Sequence, residues 1–323
     1  MIKTRIHTAL CALCTAVGLL ALHTNVLAQF PDKPITIVVP YGPGSAIDAV
    51  ARALAQGVQK SLGQNVIVDN KTGAGGALGT QYVGRRPADG YTVGIVSINP
   101  FVLSYFSKAL PLHPVDDFTH VIATTGYLMA VAVRSDSKMK DMKDLVENAR
   151  ANSGKLTYST SGIASTGYLN MEEFASLANI KLVHVPYKSG AEAVTAVLAG
   201  QVDFFADAAW APFVKDGRMR PLMIFANERS SLYPSVPVPT DIVKANVQQG
   251  YLMIVGPKGL PAPVLQRLHE AFKAATAEPE YKAVAERFNM ELMYQTPATA
   301  KEATAASIVP LEKMFNKLGL GKQ

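Results

Sequence analysis

The segment Ile35-Thr-Ile-Val-Val-Pro-Tyr-Gly-Pro-Gly-Ser-Ala-Ile-Asp48 decides how the chain begins to fold. Its first five residues are an apolar run that predicts a buried strand, and Ala46–Leu62 has the apolar spacing of an amphipathic helix. The glycines between them predict a tight turn. A helix that begins directly after a strand leaves several backbone N–H groups unpaired at its positive end. The pattern therefore predicts a place where a small anion binds.

A second segment of similar build is Leu156-Thr-Tyr-Ser-Thr-Ser-Gly-Ile-Ala-Ser-Thr-Gly-Tyr168, which leads into another helical pattern. Five hydroxyl side chains lie in this turn, and a hydroxyl can donate to a carboxylate without carrying charge. An ordinary polar loop, with Ser165 or Thr166 as the helix N-cap, explains the same residues about equally well. Two such turns on one chain indicate a ligand that is held from two sides.

In the first turn, Ser45 and Asp48 have the spacing of a capping box. We expect Asp48 to cap the helix and to pair with Arg52, because a carboxylate would repel an anionic ligand. The groups expected to face the ligand are therefore neutral ones. They are the Ser45 hydroxyl and the backbone N–H groups of Ser45, Ala46 and Ile47. Neither a GxxxxGK[ST] nor a GxGxxG nucleotide motif is present, since no lysine follows the turn and Ile47 stands where the last glycine would be.

The sequence gives little support for a catalytic site or a metal site, and we expect no cofactor. Asp203 and Asp207 flank a predicted strand end. They offer a general acid/base pair, but a turn cap or a polar contact with the ligand is the favoured interpretation. There is no GxSxG nucleophile motif, and no histidine pair has metal-binding spacing. The histidines after the leader are His113, His120, His184 and His269.

The N-terminus has the layout of a secretory signal peptide. Lys3 and Arg5 precede an apolar run over residues 8–22, and small residues lead to a predicted cleavage after Ala28. The run is shorter than the roughly 20 apolar residues that a membrane anchor needs. We therefore expect a periplasmic protein.

Cleavage there would leave about 295 residues, which favours two domains over one. It would also remove both cysteines, so no disulfide is expected, and would lower the formal charge from +6 to +4. The remaining positive charge is scattered, without a long Lys/Arg run. This distribution argues against a nucleic-acid partner.

Strand and helix signals alternate along the chain, which predicts an α/β protein with parallel, helix-covered sheets. The predicted strands are Ile35–Val39, Val66–Asp69, Tyr91–Val96, Leu156–Tyr158, Lys181–Val185, Gln201–Phe205, Pro221–Ala226 and Tyr251–Val255. The predicted helices are Ala46–Leu62, Ala77–Arg85, Met142–Ala151, Tyr168–Ala178 and Ala191–Ala199, followed by a helical C-terminus over Ala262–Leu318.

The apolar run Thr125–Val133 is a candidate strand that crosses between two lobes. Two separate βα series and a late strand indicate that the C-terminus completes the first lobe. The expected organisation is a signal peptide over 1–28, a first lobe over 29–127 and 249–323, and a second lobe over 128–248.

Five motifs in this order give the chain a specific resemblance. They are PDKPITIVVPYGPGSAIDAVARALA, NKTGAGGALGT, PADGYTV, LVHVPYKSGAEAVTAVLAGQVDF and PKGLPAPVLQRLHEAF. Together they resemble the extracytoplasmic solute receptors of the tripartite tricarboxylate transporters, the Bug-type or TctC-like group, over essentially the whole mature chain.

The resemblance implies a two-lobed periplasmic binding protein of type II, with a hinge between two βα sheets, that closes on a small carboxylate. It implies that the two turns are the loops that hold the ligand, and that Asp207 lies near ligands that offer a donor. It also implies membrane subunits of a transporter as partners. The candidate ligand-binding residues are Tyr41, Gly44, Ser45, Ala46, Ile47, Ser97, Ser161, Gly162, Ser165, Thr166, Tyr168, Asp207 and Trp210.

Three departures from the family pattern bear on the ligand. Ser45 and Ile47 replace a glycine and a polar residue, Tyr168 stands where histidine is common, and Trp210 adds an aromatic side chain near the expected cleft. These changes remove polar donors, so we expect a ligand less charged than citrate, such as an aromatic or hydrophobic monocarboxylate.

Two other functions stay open at this point. One is an exported enzyme, a hydrolase or isomerase of carboxylic acids, on the same fold. The other is a receptor that only signals to a sensor protein. The expected form in each case is a monomer.

Overall fold

The computed structural model describes residues 30–163, 165–230, 232–245, 247 and 250–320. The predicted signal peptide, with Cys11 and Cys14, lies outside these residues. Within the described ranges, no helix is both long and apolar enough to cross a bilayer.

Two mixed sheets organise the described chain. The first has the strand order β11-β4-β10-β3-β1-β2, with β1 parallel to β2 and β3, and with β10 and β11 antiparallel to their neighbours. Its strands are β1 Ile35–Val39, β2 Val66–Asn70, β3 Thr92–Ser97, β4 Phe118–Tyr127, β10 Gly250–Pro257 and β11 Met290–Gln295. The parallel arrangement expected from the order of the first three strands is confirmed, and β4, β10 and β11 extend the sheet with antiparallel pairings that were not predicted.

The second sheet has the order β7-β6-β8-β5-β9. In it β6 is parallel to β7 and β8, while β5 is antiparallel to β8 and β9. Its strands are β5 Met129–Arg134, β6 Thr157–Thr160, β7 Val183–Pro186, β8 Phe204–Asp207 and β9 Met219–Phe225. We call each sheet with the helices that cover it a lobe.

Ten α-helices of the described residues cover the sheets. They are α1 Ala46–Leu62, α2 Ala77–Gly84, α3 Ile98–Phe106, α4 Met142–Ala151, α5 Thr166–Leu177, α6 Gly190–Leu198, α7 Ala211–Lys215, α8 Ala262–Ala277, α9 Pro279–Arg287 and α10 Pro297–Lys317. Strand β1 and helices α1 and α4 have the predicted bounds. The expectation of an uninterrupted helical C-terminus was wrong, because β11 pairs with β4 between α9 and α10.

Helix α1 shows how local sequence and packing agree. Ser45 caps its start and Gly63, in the left-handed conformation, ends it. Its apolar side packs against the first sheet and against α8. A Cβ added at Gly57 would lie 2.6 Å from Ala275 Cβ, so a glycine is needed for the two helices to approach this closely. The packing holds the start of α1 in a fixed position relative to β1.

The chain crosses between the sheets at Leu128. The run predicted as a single crossing strand is divided there into β4 of the first sheet and β5 of the second. The return crossing ends at Gly250, which lies opposite Tyr127 in the β4–β10 register. A Cβ at Gly250 would lie 2.1 Å from the Tyr127 ring. Both crossings therefore meet at Tyr127.

His120 on β4 is a buried polar side chain in the first lobe, with 3% of its surface exposed. Neither of its ring nitrogens has a hydrogen-bond partner among the described residues. Burial, together with the positive charge of Lys301, lowers its pKa from 6.5 to about 4. Between these two values the unfolded chain binds more protons than the folded chain, so stability falls as the pH falls through this window.

We therefore expect the free energy of unfolding to lose about 3 kcal/mol from this residue between about pH 7 and pH 4. Urea unfolding at a series of pH values measures the loss. The variant His120→Leu should remove that part of the pH dependence, whereas His113→Leu, at a histidine paired with Asp116, should retain it. Equal pH dependence in wild type and His120→Leu would contradict the assignment.

Candidate functional site

The first turn is held together by Asp48. Its carboxylate accepts hydrogen bonds from Gly44 N (2.9 Å), Arg52 Nε (2.9 Å) and Asn70 Nδ2 (2.9 Å). Burial alone would raise the pKa of Asp48, but these bonds, that from Arg52 first, hold it below its usual value. The Ser45 hydroxyl accepts from Asp48 N at 3.2 Å. The predicted pair of Asp48 with Arg52 is confirmed, while Ser45 is the N-cap and Asp48 supports the turn through Gly44 N, one residue before it.

The remaining donors of this turn are backbone groups. Ala46 and Ile47 are the first two residues of α1, so their N–H groups have no acceptor within the helix. Their half-buried side chains pack against the core of the first lobe. Gly44 is exposed and has φ +79°, a conformation that favours glycine. The start of α1 therefore offers N–H groups and a positive dipole end rather than charged side chains.

The second turn uses some of its predicted donors internally. Ser161 donates to Asp207 Oδ2 through its backbone N–H (2.7 Å) and its hydroxyl (2.6 Å). Gly162 N donates to Thr160 Oγ1 at 3.2 Å. Ser165 caps α5 and accepts from Tyr168 N at 3.2 Å. The N–H groups left at this end belong to the first two helical residues, Thr166 and Gly167.

Helix α5 begins in direct contact with the end of β8. A Cβ added at Gly167 would lie 1.9 Å from the carbonyl oxygen of Ala206 and 3.1 Å from Asp207 Cα. Only a residue without a side chain allows this approach. The start of α5 is therefore packed directly against the carboxyl end of β8, next to Asp207.

A buried hydrogen-bond network joins the two lobes at the base of the cleft. Asn99 Nδ2, on α3 of the first lobe, donates to Thr166 Oγ1 at 3.2 Å. The Tyr127 hydroxyl is hydrogen-bonded to Ser97 Oγ. Burial raises the pKa of Tyr127 to about 12, against hydrogen bonds to Ser97 and Thr166 that lower it. We call these four residues the cleft floor.

Two further predicted residues lie beside the cleft floor. Burial raises the pKa of Asp207, against the hydrogen bonds from Ser161 and Ala208 that lower it. Burial, followed by the charges of Tyr127 and Asp207, also raises the pKa of Tyr41. The charge of Asp207 in the second lobe therefore acts on Tyr41 in the first, and Tyr41 lines one small pocket together with Ser97. The structure thus brings together Tyr41, Ser97, Ser161, Thr166 and Asp207.

Tyr168 and Trp210 lie in different surroundings. The half-buried Tyr168 ring packs on His184, with 4.6 Å between ring centroids. Trp210 is fully buried in the core of the second lobe, where its indole N–H donates to Leu128 O at 2.9 Å. The expectation that Trp210 adds aromatic surface to the cleft was wrong, because the apolar core between β5, β9 and α6 takes up the ring.

Sequence reasoning did not select Tyr127 and Asn99 for the cleft floor. Tyr127 is the third residue of the apolar run Thr125–Val133 that was predicted to cross between lobes, and a hydroxyl at that crossing was a usable signal. Asn99 lies on α3, a helix that was not predicted. Its role depends on contact with Thr166, 67 residues away in sequence, and no local pattern reports such a contact.

A family model described as "TctC: Tripartite tricarboxylate transporter family receptor" matches residues 50–320. The chain belongs to the TctC family. This TctC receptor is 37% identical over 318 residues to a UPF0065 protein in the gbd 5' region of Cupriavidus necator. That match covers 98% of this chain and 97% of the relative. The resemblance seen in the sequence motifs is thereby confirmed.

Solved structures agree with this membership. The periplasmic binding protein BugD matches with a TM-score of 0.81 and 25% identity, covering 90% of this TctC receptor and 99% of BugD. R. palustris Rpa4515, solved with adipate, matches with a TM-score of 0.81 and 25% identity, covering 90% and 98% of the two chains. The chain is a solute-binding receptor of the periplasmic, two-lobed type and not an enzyme.

Proposed function

We propose that this receptor closes its two lobes on one small carboxylate and presents the closed form to the membrane subunits of a tripartite transporter. The observation that carries the proposal is the pair of serine-capped helix starts, α1 and α5, one from each lobe. Each offers unpaired N–H groups and a positive dipole end, which suit an anion. The cleft floor between them supplies neutral hydroxyl and amide groups.

The ligand that fits these groups carries little charge. None of the side chains gathered beside the cleft floor is a lysine or arginine, and Asp207 adds a carboxyl group of its own. Neutral donors and helix ends stabilise one carboxylate well, but a tricarboxylate would leave two further charges without a cation. We therefore propose an aromatic or hydrophobic monocarboxylate, or an acid such as the adipate bound by Rpa4515, ahead of citrate.

Thermal unfolding of the mature protein with benzoate, adipate, malate and citrate tests the proposal. A ligand present at 100 times its Kd should stabilise the folded protein by about 2.7 kcal/mol. Benzoate or adipate should raise the unfolding temperature more than citrate at equal concentration, and calorimetry should give one site per chain. Citrate as the tightest ligand would contradict the proposed ligand class. No binding of any carboxylate would contradict the function itself.

We propose that the chain reaches the periplasm through the predicted signal peptide, with cleavage after Ala28, and acts as a monomer. The signal-peptide layout of the N-terminus and the family membership support export. The intact mass of the exported protein checks the cleavage position. A mature chain that does not begin at Gln29 would contradict it.

A further inference from the structure

Asp203 immediately precedes β8 and Asp207 is its last residue, and the two carboxyl groups accept matching pairs of hydrogen bonds. Asp203 Oδ2 accepts from Thr157 N (2.8 Å) and Thr157 Oγ1 (2.7 Å). Asp207 Oδ2 accepts in the same way from Ser161 N (2.7 Å) and Ser161 Oγ (2.6 Å). Both pairs fasten β8 to β6, one at each end. They differ in environment, because Asp203 is exposed and Asp207 retains only 4% of its surface.

The surroundings of Asp207 contain hydroxyl groups and no cation among the described residues that act on it. Its hydrogen-bond donors are Ser161 and Ala208, and the ionisable groups that feel its charge are Tyr41 and Tyr127 of the first lobe. Burial raises the pKa values of both tyrosines, so they stay neutral in ordinary buffers. The carboxyl group is therefore buried without a compensating positive charge among the described residues that act on it.

Charged groups on the elements that pack against β8 are engaged elsewhere. Arg134 on β5 pairs with Asp136, and it lies four residues along the strand from Ala130, the partner of Asp207. Glu172 on α5 accepts from the Tyr158 hydroxyl, and Glu192 on α6 accepts from Lys188 N. On β7, burial lowers the pKa of His184 to about 4, so its ring is neutral near pH 7.

A carboxylate ligand would bring a second negative charge into this environment. Two carboxylates in one buried site cannot both stay ionised at low cost, so one of them takes up a proton. Resting on the function proposed above, we infer that ligand binding is coupled to protonation of Asp207. One proton leaves the solvent and bonds to a carboxylate oxygen of Asp207 as the ligand anion enters. The neutral carboxyl group then acts as a hydrogen-bond donor in the closed cleft.

The proposal predicts uptake of about one proton per ligand bound, and an affinity that falls up to about tenfold per pH unit once free Asp207 is ionised. Calorimetric titration with the tightest carboxylate of the panel measures the uptake. The titration is run at one pH in phosphate and in Tris, since their heats of ionisation differ. The difference in apparent binding enthalpy between the two buffers gives the number of protons.

The variant Asp207→Asn should take up no proton and should bind with an affinity that changes little with pH. Asp203→Asn is the matched control, because it alters the same bonding pattern in an exposed position, and it should behave as wild type. Binding by wild type without proton uptake would overturn the inference while leaving the proposed function standing. Retained uptake in a folded Asp207→Asn variant would also overturn it.

A melting curve will show whether Asp207→Asn folds. If it does not, the proton uptake measured for wild type still tests the inference. The absence of binding by every acid of the panel is a separate result. It would remove the proposed function, and the inference with it.

Discussion

Replacing Gly167 by alanine should destabilise the second lobe and weaken carboxylate binding together. The new Cβ would lie 1.9 Å from Ala206 O, a backbone atom that no rotamer change can move. Overpacking of this kind costs up to about 3 kcal/mol. The start of α5 must also shift from the end of β8, so we expect Kd to rise about tenfold or more. Urea unfolding and calorimetry measure the two effects.

Gly190→Ala is the matched control, since Gly190 also lies in the first turn of a second-lobe helix. Its added Cβ would lie 3.1 Å from Ala209 Cβ, a side-chain methyl that can give way by a few tenths of an ångström. This variant should retain most of its stability and affinity. Wild-type binding by Gly167→Ala would show that the position of the α5 start does not matter to the ligand.

Replacing Trp210 by alanine should be the most destabilising single change in the second lobe. The fully buried ring packs with 4.9 Å between its centroid and that of Tyr233, and its removal leaves a large cavity. It also leaves Leu128 O, at the crossing between lobes, without its donor. The expected loss is about 3–5 kcal/mol in the free energy of unfolding, measured with urea.

Trp210→Phe should lose less stability than Trp210→Ala, because it retains most of the packing but not the hydrogen bond. Where this variant is folded, its Kd should stay near that of wild type, since the ring does not face the cleft. The wild-type emission maximum should likewise change little on ligand binding. A large, saturable shift of Trp210 fluorescence would instead place this residue in contact with the ligand.

The local parts of the architecture were readable from the sequence. The capped helix starts at Ser45 and Ser165 follow from a hydroxyl residue placed between a strand signal and a helical pattern. The ion pair between Asp48 and Arg52 follows from their spacing of one helical turn. These features depend on residues three or four positions apart, so a short stretch of sequence contains all the information needed.

Other features depended on strand pairing. The segment Met290–Gln295 is long enough for either a strand or a helical turn. It forms a strand because it pairs with β4, which lies more than 160 residues earlier in the chain. The antiparallel strands at the crossings also escaped prediction, because direction in a sheet is set by the path of the whole chain.

The sequence motifs alone were enough to establish the family, the two turns and the pair of Asp48 with Arg52. The assembly of the cleft floor, by contrast, required the folded chain. Asn99 and Thr166 meet across the lobes, and Tyr127 reaches Ser97 from a neighbouring region of the same sheet. The position of Trp210 also required the folded chain. Its closeness in sequence to Asp207 suggested that it lines the cleft, but its apolar ring is buried in the core of the second lobe. Hydrophobic burial and long-range hydrogen bonds act between distant segments, so they decide side-chain positions that no local pattern specifies.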